Sequence, residues 1–456
     1  MDNNAPNRAC GVAAGRLNLA DYAVNFGDAH PPLNRTQALI EAERCYYCYD
    51  APCTTACPTS IDVPAFIARI AQDNVRGAAR EILTANPLGG MCARVCPTEQ
   101  LCEQACVRNT NEDKPVEIGA LQRYATDAFM NAGGAPLFVR APATGKKVAV
   151  VGAGPAGLTC AHQLALQGHD VVLLDAKPKL GGLNEYGLAS YKTPDNFAQK
   201  EIDWLLSVGG ITPRNNQRLG RDFTLDSLLA QYDAVFLGLG LAGVNALGIA
   251  EPQVQGCMNA VDFIADLRQA PDKSKVPVGR RVVVIGGGMT AVDAAVQAKL
   301  LGAEEVTMFY RRGKEGLSAS EVEQEWAKVN GVTLRLWSAP QKLLVDAGKV
   351  VGVRMAYTQL QDGKLAVTDE SFDVAADMVL KAIGQTYIST AAGASIALRD
   401  GKIDTDENGK TSVDRVWAGG DCRAGGQDLT VEAVEHGKLA ARSMHQALMG
   451  AAVAPV

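Results

Sequence analysis

Two stretches of the chain repeat one pattern of apolar and polar positions. Lys147-Val-Ala-Val-Val runs into Gly152-Ala153-Gly154-Pro155-Ala156-Gly157, a helical periodicity to Gln167, and Asp170-Val-Val-Leu-Leu. Arg281-Val-Val-Val-Ile runs into Gly286-Gly287-Gly288-Met-Thr290-Ala291, a helical periodicity to Leu301, and Glu305-Val-Thr-Met-Phe. Short uninterrupted apolar runs are strands buried on both faces. Joined through helices, they predict two parallel βαβ units. Before about Arg140 the periodicity is helical instead, as in residues 63–70 and 76–83, and the Gly/Pro-containing stretch 133–145 reads as a linker. The expected class is an α-helical module followed by an α/β region with two Rossmann-like dinucleotide-binding domains.

The turns between strand and helix carry the first chemistry. Gly152 permits a tight turn, Gly154 lets backbone approach a pyrophosphate, and Gly157 allows close helix–strand contact, so the loop Gly152–Gly157 suits a dinucleotide at a helix N-terminus. Asp175, at the end of the second strand, is placed for a ribose hydroxyl. Gly182 and Leu183, just downstream, are counted with this site. In the second loop Ala291 replaces the third glycine, and Thr290 and Ala291 open the helix. Its second strand ends in Arg311-Arg312 rather than an acid, which favours a 2′-phosphate and hence NADPH, with a solvated strand end as the plain alternative.

Composition then narrows the class. The chain has 456 residues and 12 cysteines, with 44 basic against 50 acidic side chains. A net charge of −6 on this length does not suit a nucleic-acid coat or a polybasic membrane binder. The polar start has no secretory signal and no long apolar run occurs, so a cytoplasmic location is expected, where disulfides are the wrong default. Eight cysteines fall in one block, Cys45-x2-Cys48-x4-Cys53-x3-Cys57-Pro58 and Cys92-x3-Cys96-Pro97-x4-Cys102-x3-Cys106. Such density reads as metal ligation. Zinc remains open, but a run ending Cys-Pro is close to the ferredoxin pattern, from which the middle gap departs. After residue 140 no Cys-x-x-Cys occurs, so thiol relay chemistry is not expected. With five histidines and no acid–base set in view, no catalytic side chain is assigned.

Near the C-terminus Val416-Trp-Ala-Gly419-Gly420-Asp421, followed by Thr430 at a helix start, resembles the second flavin motif of two-dinucleotide-binding-domain flavoproteins. That resemblance gives Asp421 to a ribityl hydroxyl of FAD. It also makes Phe236-Leu-Gly-Leu-Gly and Lys381-Ala382-Ile-Gly384 the crossover segments of a split FAD domain, with the nicotinamide domain inserted. The expected boundaries are 1–142 for the helical module, 143–245 plus 386–456 for FAD, and 246–385 for NAD(P)H. Cys45-Tyr-Tyr-Cys48-Tyr-Asp-Ala-Pro-Cys53-Thr-Thr-Ala-Cys57-Pro, Asn86-Pro-Leu-Gly-Gly-Met-Cys92-Ala-Arg-Val-Cys96-Pro and Ile118-Gly-Ala-Leu-Gln122-Arg-Tyr resemble the N-terminal half of dihydropyrimidine dehydrogenase, in particular its bacterial flavin and iron–sulfur subunit.

The resemblance spans essentially the whole chain. It implies FAD, NAD(P)H and two [4Fe–4S] clusters, one on Cys45, Cys48, Cys53 and Cys106, the other on Cys57, Cys96, Cys102 and Gln122, with Cys92 a bystander. It places Lys192 at a basic flavin-contacting position, against the alternative of an exposed lysine. It further implies electron input from NAD(P)H through FAD and the clusters to a partner subunit carrying FMN, iron–sulfur clusters and the pyrimidine site, because the chain ends where that barrel would begin. Hetero-oligomers are expected, without nucleic acid or membrane. The rival readings are the glutamate synthase small subunit, a free-standing diaphorase passing electrons to ferredoxin, and a non-catalytic zinc-stabilised nucleotide-binding protein. The Asp-Ala-Pro before Cys53, and Gln122 in place of Glu, separate the first rival from the pyrimidine enzyme.

Overall fold

In the computed structural model, residues 6–133, 136–389 and 395–450 are described. The chain forms two compact units. One comprises His30–Glu185, Asp195–Ala242 and the described residues from Tyr387 onward; the other comprises the described residues up to Ala29, Tyr186–Pro194 and Gly243–Thr386. No helix among the described residues is long and apolar enough to cross a membrane.

The first unit joins the cysteine module to a five-stranded sheet. Its strand order is Val416–Ala418, Ala234–Leu237, Lys147–Val151, Asp170–Leu174 and Ile211–Arg214, all parallel. The chain moves outward on one side of Lys147–Val151 and returns on the other, so the first Gly-rich loop sits at the switch point where such sheets bind ligands. The predicted strands Lys147–Val151 and Asp170–Leu174 have the expected bounds, and the helix covers Pro155–Leu166. That helix packs on Thr430–Met449, where the missing Cβ of Gly437 admits the carbonyl oxygen of Ala156.

The module itself is built from short helices, including Arg35–Glu43, Val63–Ala71, Val75–Ala85, Gly89–Val95 and Ile118–Ala132. Their starts are set by side-chain caps: Asn34 accepts from Gln37 N, Asp62 from Ala65 N and Asn74 from Gly77 N. Phe66, Ile67, Ile70, Ile82 and Leu121 form the core under the cysteines.

The second unit has its own parallel sheet, in the order Thr333–Arg335, Glu305–Phe309, Arg281–Ile285, Met378–Lys381 and Cys257–Asn259. Three antiparallel strands, Ser338–Asp346, Lys349–Gln361 and Lys364–Ala375, interrupt it. This meander is additional to the predicted elements. Its two-residue turns Ala347-Gly348 and Asp362-Gly363 take positive φ at both positions, the hairpin signature. Residues before Ala29, expected with the cysteine module, group here instead. Val12–Ala13 pairs with Val278–Gly279, Arg16 Nε donates to Val278 O at 3.0 Å, and Tyr22 enters the core. The two short strands form a small antiparallel sheet of their own.

One buried histidine makes the first unit acid-sensitive. His162 Nδ1–H donates to Leu205 O at 3.1 Å, and Nε2 has no partner among the described residues. Burial pushes the imidazole down to about 4. A depressed folded value gives stability that is complete above about pH 6.5 and lost as pH falls towards 4, worth about 3 kcal/mol. His162→Phe, placed among Phe138 and Trp204, is expected to abolish that part of the loss. Urea midpoints at pH 7 and 4.5 that fall equally in parent and variant would refute it.

Candidate flavin, nicotinamide and cluster sites

The first Gly-rich loop is shaped by contacts only glycine allows. Gly152 has φ +94°, and a Cβ there would overlap the carbonyl oxygen of Gly238 in the crossover segment. A Cβ on Gly157 would overlap Gly152 O, whereas at Gly154 it would meet only Gly182 Cα, at 3.9 Å. Gly154 therefore presents an open backbone face beside the start of the Pro155–Leu166 helix, a cradle that fits a pyrophosphate. Asp175 braces the loop: Oδ2 accepts from Ala153 N at 2.7 Å and Oδ1 from Lys177 N at 2.8 Å. Burial raises its carboxyl, and those two amides offset part of the rise.

The same unit brings the later motif to this loop. Gly420, at φ +74°, lies against Ala156, and its N–H donates to His436 Nδ1 at 3.2 Å. Burial depresses His436 to about 4, which keeps that nitrogen an acceptor. Burial, with Asp428 adding, pushes Asp421 up to about 7. Thr430 Oγ1 donates to buried Asn184 Oδ1 at 3.0 Å, tying the 181–185 turn to the start of the last long helix. Leu183 beside it is exposed. His436 and Asn184 carry no motif, and only the fold reveals their positions.

In the second unit a Cβ on Gly286 would overlap Ala382 O, and Gly287 makes room for the Tyr310 ring. Ala291 is fully buried in the core under the Met289–Leu300 helix, with Thr290 at that helix's first turn. Gly384, at φ +92°, lies beside Asn245 where Gln385–Thr386 pairs with Gly243–Val244. Arg311 and Arg312 are exposed. Their carbonyls are pinned by Thr358 Oγ1 and Trp337 N, while neither guanidinium has an ion-pair partner among the described residues. If they hold a 2′-phosphate, Arg311→Ser with Arg312→Ser raises KM for NADPH ~10- to 100-fold and leaves NADH nearly unchanged. Equal changes for both nucleotides would count against it.

Lys192 is not exposed. It pairs with Asp293 at 2.8 Å and Glu323 at 2.6 Å within the second unit. Burial opposes its charge, but the two carboxylates outweigh it and hold the ammonium above its ordinary value.

The cysteines separate into two groups. Cys45, Cys48, Cys53 and Cys106 line one small hollow, walled by Pro52, Ile67 and Ile118. Burial and neighbouring thiols push Cys53 up to about 11. Cys96 is raised by a hydrogen bond with Cys92, by burial and by Cys102 and Cys57; Cys102 is raised by burial, Glu103 and Cys57. Thiols held this way stay protonated unless a cation replaces their protons, which is what metal ligation does. Among the described residues no three His, Cys, Asp or Glu converge on a single-ion site. Four thiols lining one hollow are a donor set that fits an iron–sulfur cluster. Gln122 is buried, and its Nε2 donates to Gly89 O at 2.7 Å. Tyr47 N–H points at Cys45 Sγ, and Thr59 Oγ1 lies 3.3 Å from Cys57 Sγ. Contacts of this kind tune cluster potentials, and the spacing pattern does not reveal them.

No redox pair follows the module. All cysteines are free; Cys160 lies in the core against Met444, and Cys422 Sγ faces Leu237 O and Gly419 O.

Fold and sites together define a nucleotide-dependent flavoprotein carrying an iron–sulfur module. The family described as "Pyridine nucleotide-disulphide oxidoreductase" matches residues 146–437, and the one described as "Dihydropyrimidine dehydrogenase domain II, 4Fe-4S cluster" matches residues 22–134. The chain belongs to the pyridine nucleotide-disulphide oxidoreductase family and carries that iron–sulfur domain ahead of it. It is 35% identical over 421 residues to the NAD-dependent dihydropyrimidine dehydrogenase subunit PreT of Escherichia coli K12, covering 92% of this chain and 97% of the relative. It is 33% identical to the glutamate synthase [NADPH] small chain of the same organism, over 92% and 93%. Mycobacterium tuberculosis FprA in complex with NADPH shares the fold at a TM-score of 0.58 and 18% identity, over 68% of this chain and 85% of that one. The protein is an NAD(P)H-dependent flavin and iron–sulfur oxidoreductase, with FAD, NAD(P)H and [4Fe–4S] clusters as cofactors. The zinc-scaffold reading falls to the match over residues 22–134.

Proposed function

We propose that the chain is the electron-input subunit of a dihydropyrimidine dehydrogenase, delivering electrons from NAD(P)H to a partner that carries FMN, iron–sulfur clusters and the uracil and thymine site. The observation that carries this reading is the four-thiol hollow built into one compact unit with the flavin-type loop. In this reading Cys45, Cys48, Cys53 and Cys106 hold one cluster, and Cys57, Cys96, Cys102 and Gln122 the other. When bound, FAD supplies the exchange between hydride and single-electron chemistry, and the clusters supply one-electron transfer. The chain's own residues orient and insulate. The loop Gly152–Gly157 and Asp175 seat one dinucleotide, Asp421 and Thr430 face its sugar chain, and the loop from Gly286 with Arg311 and Arg312 seats the nicotinamide nucleotide.

The identity to the PreT subunit and the Asp-Ala-Pro before Cys53 support this partner. The nearly equal identity to the glutamate synthase small chain supports a second reading, with an amidotransferase partner. The anaerobically purified chain is expected to reduce dyes with NADH or NADPH and leave uracil untouched, and to support uracil reduction when the barrel subunit is added. Uracil reduction by the chain alone would overturn the proposal. Activity only with a glutamine-dependent large subunit would establish the second reading.

A further inference from the structure

The helix Gly89–Val95, which ends at Cys96, is held from outside the cysteine module by a single buried carboxyl. Glu201, on the helix Phe197–Leu206, is fully buried, and its Oε1 accepts from Gly90 N at 2.7 Å and from Met91 N at 3.2 Å. One turn earlier Phe197 packs its ring under the Arg94 guanidinium, 3.4 Å from the ring centroid. Arg94 in turn donates to Gly90 O at 3.0 Å and to both oxygens of Asp127 at 2.7 and 2.8 Å. A Cβ on Gly90 would overlap Phe197 and Glu201. On the other side of the same turn, Gly89 O receives the Gln122 amide. The turn between Asn86 and Met91 thus touches Glu201 and Gln122 together.

We infer that Glu201 is a positioning residue for the second iron–sulfur cluster, fixing the helix that presents Cys96 and, through Gly89 O, the orientation of the Gln122 amide. The inference rests on the reading that Cys57, Cys96, Cys102 and Gln122 hold that cluster. A carboxyl so deep is costly to bury without partners, and the two amides of this helix are the partners it has been given. Core packing alone would be met by leucine. What leucine cannot do is accept from two backbone amides, and those amides anchor the start of a short helix that carries Cys96 at its far end.

The test uses the full chain, purified anaerobically, with iron content, EPR of the reduced clusters, the potential of each cluster and flavin content as readouts. E201L is expected to lose or shift the signal of the second cluster, up to about half of the iron, while the first cluster and FAD remain. E201Q, which keeps an oxygen acceptor of the same reach, is expected to restore the parent spectrum. E201L with both cluster signals unchanged would overturn the inference, as would E201Q perturbing the cluster as strongly as E201L. If E201L does not accumulate as folded flavoprotein, E201D decides. It retains the carboxyl group and shortens the reach, so an unshifted second cluster in E201D overturns the positioning role. Q122A separates the two claims. Unaltered cluster signals there, beside altered ones in E201L, would overturn the amide-ligand reading while supporting the hold of Glu201 on Cys96.

Discussion

Cys53→Ser is expected to remove one cluster and about half of the iron while leaving FAD and dye reduction in place. Cys53 shares its hollow with Cys45, Cys48 and Cys106, and no other cysteine lines it. A serine hydroxyl is a poor substitute for a thiolate at iron, so three remaining thiols would hold the cluster weakly. Cys102→Ser should remove the other half of the iron with an EPR change of its own, because Cys102 is grouped with Cys57 and Cys96. Cys92→Ser is the internal control. Its thiol is buried and hydrogen-bonded to Cys96, and with Gln122 as the fourth ligand it retains all iron. Iron and acid-labile sulfide per flavin measure the series. Equal losses in Cys92→Ser and Cys102→Ser would make Cys92 a ligand and dismiss Gln122.

Gly152→Ala is expected to empty the flavin site. The new methyl would overlap Gly238 O, and the backbone at φ +94° is one that alanine rarely adopts. Strain of about 1–2 kcal/mol and overpacking of about 1–3 kcal/mol together weaken FAD binding ~100- to 1,000-fold. Gly154→Ala makes the contrast. Its backbone is extended, at φ −76° and ψ −176°, and the nearest atom to a Cβ is 3.9 Å away, so the fold accepts the methyl. Only the approach of a pyrophosphate is obstructed. Flavin absorbance after gel filtration, with the melting temperature of the flavin-free protein, distinguishes them. Gly154→Ala loses flavin with an unchanged flavin-free Tm, and Gly152→Ala loses both. Full flavin occupancy in Gly154→Ala would remove the pyrophosphate from this loop.

How much of this was legible in advance depended on how local the cause was. The strands Lys147–Val151, Asp170–Leu174, Arg281–Ile285 and Glu305–Phe309 fall where the apolar runs put them, because a strand buried on both faces needs an uninterrupted run. The helices over 63–70 and 76–83 came out one and three residues longer, at Val63–Ala71 and Val75–Ala85: the cap at Asn74 brings in Val75, and the other added residues extend the C-terminal ends, where helix bounds are least fixed by periodicity. The antiparallel strands over 338–375 were written in two turn dipeptides, Ala347-Gly348 and Asp362-Gly363. Their mixed, half-exposed strands have no alternation clean enough to announce them.

Lys192 shows where local reading stops. Nothing within its neighbourhood in sequence predicts burial, and its partners Asp293 and Glu323 lie more than a hundred residues away. Glu201 is the same case, a charged residue on an amphipathic helix that the fold places against Gly90 and Met91. By itself the sequence determined the two nucleotide-binding units, the Gly-rich loops and the dense block of thiols, because each is a pattern of neighbouring residues with one physical use. The four cysteines that line one hollow are the four the family resemblance groups; only the tertiary structure decided which unit takes the described residues up to Ala29 and which carboxylates meet Lys192 and the Cys96 helix. Those are encounters between distant segments, and an encounter has no period to read.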